Sequence, residues 1–158
     1  MMTTETTRIA KLLKRNWHGP MWHGNTVQEI LKDINWQMAF NKPSHFSHNI
    51  YEYVKHMHCW RTFVIEYLKG NNTYSVEINS EVDWVTNYEA SEASWQLALQ
   101  ELESSQTELV NAFEGFSDDK LEELVPGKKF NWYVMIHGLV HHDIYHSAQI
   151  ALLKKQAA

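Results

Sequence analysis

Asn131-Trp-Tyr-Val-Met-Ile-His-Gly-Leu-Val-His-His-Asp-Ile-Tyr-His-Ser-Ala-Gln-Ile-Ala-Leu-Leu-Lys-Lys155 carries one unbroken helical pattern. It reads as a helix of about six turns at roughly 1.5 Å per residue. At about 100° per residue, Trp132, Met135, Ile136, Leu139, Ile150 and Leu153 fall on one side. His142 and His146 lie inside that apolar sector, four residues apart, so their rings reach a common point. Buried imidazoles need partners. A metal ion is one candidate; hydrogen bonds within the core are the other. His137 and His141 repeat the spacing but point the opposite way, with Lys155.

A third ring is sought on the other long helical pattern, over residues 47–69, which stops near Gly70. Its core sector holds Ile50, Tyr53, Met57, Trp60, Val64 and Tyr67. His48 and His58 point outward beside Lys55, Glu66 and Lys69, and Glu52 also points away from the core. His56 falls at the edge of the core sector and is the best partner for His142 and His146. Three neutral imidazoles suit zinc, nickel, iron or cobalt better than magnesium or calcium. Three protein ligands leave room for water or substrate, as catalytic sites do. Asp143 could orient a ligand from behind or make an ordinary interhelical hydrogen bond. No protein nucleophile is apparent: Cys59 has no flanking base and reads as inert. Glu52 and His56 are four apart rather than three, so a di-iron carboxylate pattern is missing.

Residues 5–16 form an amphipathic leading helix, with Ile9, Leu12 and Leu13 opposite Arg8, Lys11, Lys14 and Arg15. Residues 17–24 are a loop that Trp17 and Trp22 should pin; His18 and His23 there could be ligands or bland loop residues. Thr26-Val-Gln-Glu29 matches a capping box, predicting a helix from about Val27 through Ile30, Ile34 and Met38, ended by Pro43. Residues 70–85 lack a period and read as a long crossover. Thr86-Asn-Tyr-Glu89 is a second capping box, opening a helix to about Phe113 with Tyr88, Trp95, Leu99, Leu102 and Leu109 buried and Gln106 near the edge. Residues 115–130 link to the last helix through a turn capped by Ser117.

The expected fold is all-α: four longer helices, from near Thr26, Ser47, Thr86 and Asn131, form a bundle with a crossover and a short extra helix in front. The 158 residues suit a single domain. A net charge of −5 without a basic run argues against nucleic-acid binding. One cysteine excludes an internal disulfide, and neither a signal sequence nor a membrane span is visible, so a cytoplasmic protein is the expectation.

Residues 142–150, His-Asp-Ile-Tyr-His-Ser-Ala-Gln-Ile, resemble the final-helix signature of the DinB/YfiT-like superfamily. Residues 49–56, followed by Trp60, look like that family's earlier histidine-bearing helix. Trp17-His-Gly-Pro, Trp22-His-Gly-Asn-Thr, Asp83-Trp84 and Val125-Pro-Gly127 also fall where the likeness expects them; Ala148 departs from a frequent glycine. The resemblance implies a four-helix bundle with a divalent metal ion (zinc, nickel, iron or manganese) on His56, His142 and His146. It further implies a homodimer, and chemistry on a small molecule with bacillithiol, mycothiol, glutathione or water as nucleophile. The alternative is a metal-binding, stress-associated interaction protein without catalysis.

Overall fold

The computed structural model describes residues 3–157. Its α-helices are α1 (Glu5–His18), α2 (Val27–Leu31), α3 (Trp36–Phe40), α4 (Ile50–Leu68), α5 (Glu92–Glu114) and α6 (Trp132–Ala157), with a 3₁₀ turn at Asp118–Lys120 and no strand among the described residues. The all-α bundle is as expected, but its membership shifts. The four bundle helices are α1, α4, α5 and α6. The leading helix takes the place given to the Thr26 segment, which breaks into two single-turn pieces. The Thr26 capping box does form. However, Asp33 adopts a left-handed backbone (φ 64°), and the Asn35 side chain accepts from Met38 N–H to start a new helix. Lys154 of α6 caps the freed carbonyls of Ile30 and Lys32.

Paired residues give the helix directions. Lys55 meets Glu101 and Lys69 meets Glu108, so α4 and α5 run the same way. His56 meets His146, Arg61 meets Asp143, and Val64 shares a groove with Met135, so α6 runs opposite to α4. Trp17 lies by Leu99, while the backbone N–H of Glu5 donates to Asp118 beyond the end of α5, so α1 opposes α5. The order is up, down, down, up. Since α4 and α5 are parallel, residues 69–91 must travel back along the bundle. This segment leaves α4 through a Schellman turn: Gly70 takes φ +89°, Asn71 N–H reaches Glu66 C=O and Gly70 N–H reaches Tyr67 C=O.

Several expectations drawn from helix phase alone are corrected. The second capping box does not form: Glu81 binds the N–H groups of Thr86 and Asn87 and the Thr86 hydroxyl, and α5 starts later with Ser91 as its cap. Gln106 is buried rather than at an edge, donating to Leu13 C=O at 3.1 Å and tying α5 to α1. Ser117 makes no capping bond; its neighbour Asp118 instead accepts from Glu5 and Thr6 N–H at the start of α1. Trp17 is buried as expected, whereas Trp22 is 97% exposed and pins nothing. Cys59 and Glu52, both placed outside the core sector, are buried because α3 and the crossover cover that side of α4.

The core divides in two. One apolar cluster draws on α1, the C-terminal halves of α4 and α5, and the N-terminal half of α6, with Ile9, Phe63, Leu109 and Ile136 among its members. The other draws on α2, α3 and the opposite halves, with Val27, Val54, Leu102 and Ile150. Between them, around residues 56–61 of α4 and 142–147 of α6, lies a layer of buried polar side chains: His56, Arg61, Asp143, His146 and Ser147.

Candidate metal centre

Three histidines meet in that layer. His56 comes from the middle of α4, and His142 and His146 project from successive turns of α6. One ring nitrogen from each lies within 4.8 Å of the others, a grouping able to hold a metal ion. His142 Nε2 and His56 Nε2 are 3.0 Å apart. The His146 ring stands nearly perpendicular to both, with centroids 4.6 Å from His56 and 4.4 Å from His142. The chosen trio is therefore the one the fold brings together. His18, which ends α1 rather than lying in the loop, and His23 in the loop are both exposed and outside the cluster.

Hydrogen bonds fix which nitrogens face inward. His56 Nδ1 lies 3.0 Å from the Asp83 carbonyl and 2.9 Å from its Oδ1. Both are acceptors, so Nδ1 carries the proton and Nε2 presents a bare lone pair. His146 Nδ1 lies 2.7 Å from Gln149 Oε1, which leaves its Nε2 free in the same way. Since His56 Nε2 is bare, its contact with His142 needs either a proton from His142 or a cation between them. His142 Nδ1 is buried without a partner. Burial pushes His142 down to about 3, helped by the neighbouring histidines, and His146 down to about 4. Burial also lowers His56, against the pull of Asp83. All three are thus neutral at pH 7, the form a metal requires. The donor set fits a divalent ion of the zinc, nickel or iron type.

The group placed behind a histidine is Asp83, at His56, whereas Asp143 makes the interhelical hydrogen bond, the other role open to it. Asp143 faces Arg61 instead: Arg61 Nε and Nη2 both donate to its Oδ2, at 3.0 and 2.7 Å, while its Oδ1 is buried without a partner. It bonds none of the three histidines. Asp83 sits in the crossover, buried, with Trp60 Nε1 donating to Oδ1 at 2.9 Å and Asn79 N–H to Oδ2 at 2.8 Å. Asn79 takes φ 63° to turn the chain there. The next residue, Trp84, stacks on His56 at 3.8 Å between centroids, and on its other face His48 stacks at 3.6 Å. His48 is thus half-buried rather than outward, its Nδ1 2.9 Å from Glu52. Glu52 also accepts from Tyr88 Oη at 2.6 Å. Periodicity could not show this, since residues 70–85 have none; only the likeness of Asp83-Trp84 marked the spot.

A model of the DinB superfamily matches residues 22–150. The chain belongs to this superfamily. The match spans the three histidines and the crossover that covers them. No curated protein and no solved structure matches the chain. DinB membership and the three-histidine cluster are together compatible with a metal-binding protein of this type. No helix among the described residues is long and apolar enough to cross a membrane.

Proposed function

We propose that this DinB-superfamily chain is a metal-dependent transferase or hydrolase, with His56, His142 and His146 holding a divalent ion. The nucleophile is a low-molecular-weight thiol or water, and the substrate a small electrophile. One observation carries the reading: three neutral imidazoles converge, two of them with their outer nitrogens tied off so that their bare lone pairs face inward. When bound, the ion supplies Lewis acidity, which lowers the pKa of a thiol or water and polarises a substrate oxygen.

The chain's own groups support that role without reacting. Asp83 holds His56 in one tautomer and one orientation. Trp84 covers the ring from the crossover side and keeps water from its face. Cys59 is no rival nucleophile: it is buried, and burial pushes its thiol up to about 11. The proposal extends to a cytoplasmic homodimer; exposed Tyr145 and Leu152, seven residues apart on one face of α6, support the pairing, and sedimentation tests it.

The deciding experiment strips the purified protein with a chelator and restores single metals. Consumption of glutathione, bacillithiol or mycothiol against an electrophile panel is followed, with ester and amide hydrolysis in parallel. Activity should vanish on stripping, return with metal, and be absent from His142→Ala while its helical circular dichroism is unchanged. Activity indifferent to stripping overturns the proposal. Stoichiometric metal without turnover across the panel favours the non-catalytic alternative.

A further inference from the structure

We infer that the apolar groove between α4 and α6 is a substrate subsite, taking the apolar body of a small organic anion whose other end lies at the histidines. The inference deepens the proposed function and rests on it for the position of the reacting end. The groove has a volume of about 250 Å³ and is lined by Trp60, Phe63, Val64, Phe130, Leu139 and His142, among others. His142 belongs to the cluster, so groove and candidate metal centre share a wall. The groove runs from His142 to Met135, two turns of α6 or about 10 Å. An apolar cavity of about 150 Å³ admits benzene. The larger groove here suits one ring with a short substituent, or a chain of about eight carbons.

Its walls are fixed at the reacting end. Trp60 donates to the same Asp83 carboxylate that orients His56, so a single group sets both ligand and wall. Gly138 forms part of the lining, in the interior of α6. A Cβ added there would meet nothing within 4 Å, and its backbone is not left-handed. Neither conformation nor close packing demands glycine, although glycine weakens a helix interior. What the missing side chain does is leave the groove open, which makes Gly138 the residue that sets the size admitted.

A cation lies just beyond the lining, over the Phe63 wall. Lys128 Nζ lies 5.1 Å over the Phe63 ring and 5.3 Å over Tyr67, and it pairs with no carboxylate among the described residues. Tyr67 is two turns along α4 from Trp60, away from the histidines. The occupant is therefore an amphiphile: a polar head at the cluster, an apolar body in the groove, and an anionic group at Lys128.

Calorimetry with two probe pairs tests this. Octanoate and acetate, titrated into metal-free full-length protein, read the groove and Lys128 without any metal. Octanoate should bind at least about tenfold more tightly than acetate. Gly138→Leu should erase that difference and Gly138→Ala reduce it, with thermal midpoints no lower than the parent's. Lys128→Gln should weaken octanoate about fivefold. Acetohydroxamate and octanohydroxamate then probe metal-loaded protein: the short one reports the cluster, and the extra affinity of the long one reports the groove. The inference is overturned if neither long probe exceeds its short partner, or if folded Gly138→Leu keeps the gain. Octanoate binding with no metal uptake would sink the proposed function and leave the subsite standing. Acetohydroxamate binding with no chain-length gain would do the reverse.

Discussion

Two polar constellations share the layer between the apolar halves of the bundle, and both bridge α4 to α6. Arg61 and Asp143 form a closed pair: the guanidinium is fully buried, donates twice to one carboxylate oxygen and once to Leu102 C=O, and lies 4.8 Å over the Trp17 ring. The three histidines form an open set. Their outer nitrogens are bonded in two cases, and their inner ones turn toward each other, where the bare Nε2 of His56 is met either by a proton on His142 Nε2 or by a cation. The pair ties α4 to α6 through bonds made within the chain, with Asp143 Oδ1 alone left without a partner. The cluster leaves the Nε2 of His146 free and the Nδ1 of His142 unpartnered, and in the proposed reading an ion from outside completes it. In the proposed reading the same layer thus holds a structural device and a binding one, and the test between them is what each loses when a member is removed.

The largest effect should come from breaking the closed pair. Arg61→Met strands the Asp143 carboxyl, which burial already pushes upward against the pull of Arg61. Loss of one partner from a buried pair costs about 3–5 kcal/mol. Urea unfolding of the metal-free protein should show that loss, and Arg61→Met combined with Asp143→Leu should regain most of it. A double variant as weak as the single one would mean the pair matters through something besides its charges.

His142→Ala should behave in the opposite sense. Its Nδ1 has no partner to strand, its Nε2 touches only the neighbouring His56, and its ring lines an open groove. Metal-free stability should therefore fall by no more than about 1–2 kcal/mol. What disappears is the response to metal: in the parent, an ion at a hundredfold excess over its dissociation constant adds about 2.7 kcal/mol. Thermal unfolding with and without zinc, plus metal content by mass spectrometry, checks both halves. A metal-free His142→Ala as damaged as Arg61→Met would erase the distinction between the two constellations.

How much of this could be read beforehand depended on what each residue's signal was made of. Along α6 the apolar residues Trp132 to Leu139 at one end and Ile150 and Leu153 at the other mark a single face, so His142 and His146 between them could be placed inward without coordinates. His56 could be placed at the edge of its sector, where it is found. Phase on one helix says nothing about what covers its other side. Glu52, His48 and Cys59 lie outside the core sector of α4, yet α3 and the crossover enclose them. Two identical Thr-x-x-Glu signals had opposite outcomes, because Glu81 captured the second threonine's backbone and hydroxyl before a helix could start. Asp83 was hidden for a related reason: its role comes from a tertiary return of an aperiodic segment, which leaves no pattern in the chain.

Asp83 and Gln149 allow a graded test inside the open set, since each ties off one outer nitrogen. Asp83→Asn keeps the shape but removes the charge behind His56, and should lower zinc affinity about ten- to hundredfold. Competition with a chromophoric chelator would measure it. An unchanged affinity would make Asp83 only an anchor for Trp60 and the loop.

Gln149 should matter less, and the reason is its surroundings. Asp83 is almost wholly buried, so nothing replaces it, whereas Gln149 is only half-buried on the outer turn of α6. In Gln149→Leu, water can take up the His146 Nδ1 proton, leaving roughly the net value of one hydrogen bond, about 0.5–1.5 kcal/mol. That predicts a loss of about three- to tenfold in zinc affinity by the same competition assay. A loss equal to that of Asp83→Asn would show that His146 depends on one fixed partner as His56 does, and that the outer side of the cluster is drier than the exposure of Gln149 implies.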